Sequence, residues 1–103
     1  MNEPELFRCL ADPTRFTILK LLREADEPCV GDLVAATGKE QTNVSHHLAQ
    51  LRACGLVATR QDGKRVRYRL AHPRLATLLA EAEALVQHLG AADAEACAST
   101  GCC

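Results

Sequence analysis

After Gly55 the apolar spacing changes from helical to alternating, and that one switch limits the available folds more than any other feature. Val57, Thr59 and Gln61 alternate with Ala58 and Arg60, and Val66, Tyr68 and Leu70 alternate with Arg65, Arg67 and Arg69. Asp62-Gly63 lies between the two runs and is a strong hairpin signal, because a tight turn needs residues that tolerate positive φ. One two-stranded hairpin is therefore expected, with an apolar face and a very basic face. Every other patterned segment is helical, so the fold class is mainly α with a single hairpin.

The helical segments carry their own punctuation. The first helix is expected over Glu3 to Leu10. Asp12-Pro13 then reads as an N-cap followed by proline at the first helical position, and Ile18, Leu19 and Leu22 give that helix one apolar face ending near Glu24. A short helix follows from Val30 to Thr37, stopped by Gly38. The next runs from about Glu40 to Ala53, with Val44, Leu48 and Leu51 on its buried side. Pro73 opens the last helix, striped by Leu75, Leu78, Leu79, Ala82, Leu85, Val86 and Leu89. That stripe needs a cover, either its own domain or, at least as readily, the same helix of a second copy of the chain.

A chain of 103 residues is one domain with a modest core. The expected division is 1–89 for the folded domain with N- and C-terminal dimerisation helices, and 90–103 for a flexible tail bearing cysteines. No apolar run approaches a membrane span, and the acidic start lacks the apolar segment of a secretion signal, so the cytoplasm is the expected compartment. Six cysteines are then better read as metal ligands or redox sensors than as a disulfide framework.

Net charge is only −1, yet Arg60, Lys64, Arg65, Arg67, Arg69 and Arg74 cluster against a single acid, Asp62. Such a stripe fits a phosphate footprint, or equally a charged hairpin edge that resists aggregation. Its neighbour weighs on the choice. A short helix, a glycine turn and a longer helix form a helix-turn-helix, whose second helix enters the major groove of DNA. The exposed positions at the start of that helix are Gln41, Thr42, Asn43, Ser45, His46 and His47, all able to hydrogen-bond to base edges or phosphates. Lys64, Arg65 and Arg67 on the hairpin would follow the DNA backbone, where charge adds affinity rather than specificity. Winged helix-turn-helix is the resulting expectation, acting as a homodimer on double-stranded operator DNA, with no membrane partner.

The segments Leu10-Ala11-Asp12-Pro13-Thr14-Arg15, Asn43-Val44-Ser45-His46-His47-Leu48, Leu51-Arg52-Ala53-Cys54-Gly55-Leu56-Val57 and Gly63-Lys64-Arg65-Val66-Arg67-Tyr68 resemble the ArsR/SmtB family of metal-sensing repressors. The resemblance covers roughly residues 5 to 89. It implies a dimer that binds its operator when metal-free and leaves it when metal binds.

The family's inducer sites differ in position. The paired-cysteine type fits poorly, because Gly31 stands where a second thiol would follow Cys29; Cys29 is expected to be a small buried residue. The last-helix type aligns with His72, Arg74, Leu85 and His88, two of which cannot bind metal. The CmtR-type, cadmium- and lead-sensing arrangement fits best. Cys54 matches one of its recognition-helix thiols, Gln50 replaces the other, and Cys97, Cys102 and Cys103 offer tail thiols. Three thiolates form a soft site suited to arsenite, lead or mercury, and to cadmium with a fourth ligand. The expected inducer is As(III), Cd(II) or Pb(II), with no organic cofactor. A redox- or persulfide-responsive repressor on the same scaffold is the alternative. No nucleophile–base pair, phosphate loop or cofactor fingerprint points to an enzyme. A pure protein-interaction module would leave the basic hairpin unexplained.

Overall fold

The computed structural model describes residues 1–100 of the backbone, with side chains through Leu89. The element order is α1 (Glu3–Leu10), α2 (Pro13–Glu24), α3 (Val30–Thr37), α4 (Gln41–Ala53), β1 (Val57–Asp62), β2 (Arg65–Leu70) and α5 (Pro73–Thr100). Each boundary has a local cause. Asn2 and Asp12 accept backbone N–H groups of Glu5 and Arg15, each at 3.0 Å, which caps α1 and α2. Gly38 closes α3 with φ +69°, a left-handed conformation that costs glycine little and a β-carbon much. The strands pair antiparallel from Val57↔Leu70 to Asp62↔Arg65, and Gly63 turns the hairpin at φ +60°.

The core gathers at the centre of this helical array. Ile18, Leu19 and Leu22 of α2, Leu33 of α3, Val44, Leu48 and Leu51 of α4, Leu56, Val57, and Leu75 and Leu79 of α5 are all buried, with Leu10 at the end of α1. The apolar stripe of α5 divides in two. Its first half, Leu75 and Leu79, closes this core. Its second half, Leu85, Val86 and Leu89, is more than half exposed, as is Phe7 on α1.

Helix α5 continues past Gly90 to Thr100, where a tail was expected. Ala91, Ala92, Ala94, Ala96 and Ala98 supply helix propensity that outweighs one glycine. The tail thiols Cys102 and Cys103 lie outside the described residues, and Cys97 lies beyond the described side chains.

Candidate nucleic-acid interface and thiol pair

α3, the Gly38 turn and α4 form the helix-turn-helix, and the β1–β2 hairpin stands beside it as a wing. Val44, Leu48 and Leu51 anchor α4 in the core, so its opposite face is forced outward. Gln41, Thr42, Asn43, Ser45 and His46 are all exposed there. They form a continuous hydrogen-bonding surface at the N-terminal half of the helix.

His47 is placed differently from its neighbours. Its side chain is 15% exposed, and Nδ1 lies 3.9 Å from Oδ2 of Asp12, the residue that caps α2. The backbone N–H of Arg15 holds the Asp12 carboxyl below the usual carboxylate range; burial opposes this, and His47 and Arg15 add smaller favourable charges. His47 therefore faces the scaffold rather than the open surface of α4.

A similar division appears on the wing. Lys64, Arg65 and Arg69 are exposed. Arg67 is half-buried and turned back on the protein. Its Nε donates to Asp62 Oδ2 at 3.1 Å, its Nη1 donates to the Glu27 carbonyl at 3.3 Å, and Asp32 lies 3.9 Å away. Arg60 Nε donates to Glu27 Oε1 at 3.0 Å, and the Tyr68 N–H donates to the Pro28 carbonyl at 3.0 Å. The wing is thus fastened to the α2–α3 connector, and Glu27 is held at φ +43° within that clamp. Arg67 shares its strand with the exposed Arg65, and while Asp62 is near in sequence, Glu27 and Asp32 are not, which is why charge patterning could not separate the two.

The thiols are arranged around the joint between α1 and the end of α4. Cys54 caps α4, and its Sγ is bonded to Sγ of Cys9 on α1, with the two α-carbons 6.6 Å apart. Both residues are half-buried. Cys9 was missed by the sequence reading. It follows Leu6 on the α1 face that packs against the core, but nothing local marks a thiol for a partner 45 residues away. Arg15 holds the same joint without covalent bonds, donating from Nη1 to Gln50 Oε1 at 2.9 Å and from Nη2 to the Arg8 carbonyl at 3.2 Å. Gln50, which stands in place of a thiol, is therefore engaged with Arg15.

The remaining candidates fall elsewhere. Cys29 is a half-buried N-cap of α3, not a packed core residue: its N–H donates to Asp32 Oδ2 at 3.1 Å and its Sγ lies 3.3 Å from the same oxygen. His72 accepts the Arg74 N–H at 3.1 Å at the start of α5, and His88 is exposed. Among the described residues no three metal-ligating side chains converge. Two soft donors do, at Cys9 and Cys54. In this structure they are joined as a disulfide.

Comparison with known proteins bears on this geometry. Residues 12–59 match the bacterial regulatory proteins of the arsR family. The arsenical resistance operon repressor of Escherichia coli K12 is 50% identical over 66 residues, which are 64% of this chain and 56% of that protein. The HTH-type transcriptional regulator CmtR of Mycobacterium tuberculosis is 47% identical over 91 residues, 87% of this chain and 73% of that protein. The NMR structure of this cadmium metal-sensor superposes with a TM-score of 0.67 at 46% identity, covering 76% of this chain and 80% of that one. The homodimeric winged helix-turn-helix DNA-binding domain of Mb0332 from Mycobacterium bovis superposes with a TM-score of 0.75 at 33% identity, covering 82% and 77%.

Proposed function

The chain belongs to the arsR family of bacterial regulatory proteins, and on that premise we propose that it is a homodimeric repressor released from operator DNA by a thiophilic ion held on cysteine thiolates. Its relatives are transcriptional regulators rather than enzymes. The observation that carries the proposal is the meeting of Cys9 and Cys54 at the joint between α1 and the recognition helix.

On DNA, Gln41, Thr42, Asn43, Ser45 and His46 read base edges from α4, and Lys64 and Arg65 follow the phosphates. Arg67 and His47 serve this surface from behind, by fixing the wing and α4 to the scaffold. The second copy covers Phe7, Leu85, Val86 and Leu89, large apolar side chains that are each more than half exposed. A two-fold dimer then presents two copies of α4 to successive major grooves, about 34 Å apart.

The inducer site uses Cys54 and Cys9, with Cys97, Cys102 or Cys103 supplying the third thiolate. These thiolates would hold a soft ion such as As(III), Cd(II) or Pb(II), which would supply strong metal–sulfur bonding. Cys54 caps α4 and Cys9 belongs to α1, so a demand on the spacing of the two sulfurs would be felt as a change in the angle between recognition helix and scaffold. DNA affinity falls by the difference in ion affinity between the two arrangements, a factor of about 5–150 for typical couplings. The test is ion titration of the reduced Cys54→Ser variant on operator DNA. Operator binding is expected to persist while ion-driven release is lost; release equal to that of the wild type would sink the role of Cys54.

A further inference from the structure

We infer that Cys9 and Cys54 are also a redox modification site, at which a low-molecular-weight disulfide closes the bond between them and makes the repressor blind to its inducer. The inference rests on the reading of this pair as the inducer site and adds its regulation.

The geometry supplies both halves of the chemistry. The two sulfurs are within bonding reach across the α1–α4 joint, and both residues are partly open to solvent. One thiolate attacks a sulfur of the small disulfide RSSR, forming a mixed disulfide and expelling one RS⁻. The second protein thiolate then attacks the mixed disulfide at the protein sulfur and expels the other RS⁻. The two protons lost by the cysteines are taken up by the two leaving thiolates. Two protein thiols are oxidised to one disulfide, and RSSR is reduced to two RSH.

The consequence for ion sensing follows from valence. A thiolate is the form that ligates a soft ion, and a disulfide sulfur has none to offer. The bond therefore removes two of the three proposed donors at once, both at the joint that ends α4. The consequence for DNA binding is the opposite of release. Arg15 already ties α1 to α4 through the Arg8 carbonyl and Gln50. The disulfide spans the same joint as these hydrogen bonds, and in this bonded form the face of α4 from Gln41 to His46 remains exposed. Oxidation thus locks the repressor on DNA instead of lifting it off.

The experiment uses the full-length protein, reduced, desalted, and then exposed to oxidised glutathione. Peptide mapping and operator anisotropy are read on the same samples, with and without cadmium. The expected result is a Cys9–Cys54 bridge with the loss of two hydrogens, undiminished operator binding, and no cadmium-driven release until dithiothreitol is added. In Cys9→Ser the bridge cannot close, so a glutathione adduct should remain on Cys54. The triple variant Cys97→Ser, Cys102→Ser, Cys103→Ser should still form the bridge, which keeps the mapping decisive if Cys9→Ser folds poorly. A stable glutathione adduct on wild-type Cys54, a bridge elsewhere, loss of operator binding on oxidation, or continued cadmium release from the bridged protein would each overturn the inference. If the reduced protein ignores every soft ion, the proposed function fails separately, and the modification site is still judged by the bridge and by operator retention.

Discussion

Arg67 and Lys64 lie three residues apart on the same basic wing, yet the structure places them differently, and paired alanine substitutions separate the two. Lys64 is exposed, and in the proposed complex it would act on phosphates through charge alone. A dimer carries two copies, so at about 0.9 per phosphate contact, Lys64→Ala lowers the slope of log affinity against log salt by about 1.8. Between 50 and 200 mM salt, wild-type affinity should then fall about twelvefold more steeply than that of the variant. Folding stability should hardly change, since Lys64 supports nothing. Arg67, 26% exposed, holds Asp62 and the Glu27 carbonyl. Losing a partly screened ion pair and one hydrogen bond costs about 1–2 kcal/mol. At about 4–8 °C per kcal/mol for a domain of this size, the melting temperature of Arg67→Ala should drop visibly at fixed protein concentration. Its salt slope should match that of the wild type. The assays are anisotropy across a salt series and thermal melts. The reasoning is refuted if Arg67→Ala lowers the slope as far as Lys64→Ala does, or if Lys64→Ala leaves the slope untouched.

Other expectations follow from the same contacts. Asp12→Ala removes the α2 cap and should cost about 1 kcal/mol in urea denaturation at neutral pH. The Asp12 carboxyl is held below its usual range in the folded state, so its contribution is present above about pH 4 and fades as pH falls through the lowered folded value; the gap between variant and wild type should close in acid. Leu48→Ala empties a fully buried site behind the recognition face and should cost about 2–5 kcal/mol, measured by the same denaturation. Val86→Glu places charge in the exposed stripe of α5 and should shift the sedimentation profile from dimer to monomer, with operator affinity falling alongside. Cleaving the Cys9–Cys54 bond opens a loop with 45 residues of separation, so dithiothreitol should lower stability by up to about 4 kcal/mol on a chain-entropy basis.

What the sequence could reveal was set by how local each cause is. Asp12-Pro13, Gly38, Asp62-Gly63 and Pro73 act on their own backbone or that of the nearest turn, and each boundary stands where they put it. The buried triad Val44, Leu48 and Leu51 follows from helical period alone, and it orients Gln41 to His46 outward without further information. His47 follows the same period, three residues after Val44 and four before Leu51, which sets it at the edge of the buried face, 3.9 Å from Asp12; its hydrogen-bonding side chain outweighed that position in the sequence. Arg67 escaped such patterning because Glu27 and Pro28 bring a connector against the wing. Cys9 had no local signal, since two thiols become neighbours only after α1 has packed on the end of α4. Helix α5 runs on past Gly90 to Thr100, through alanines whose helix propensity a single glycine does not cancel.

The most direct test of the account is the operator affinity of the reduced protein with arsenite, cadmium, lead and zinc added in turn. The account predicts that at least one of the soft ions releases the DNA, that zinc is the weakest, and that a non-chelating reductant leaves the release intact. Tight operator binding that none of the ions disturbs would contradict it.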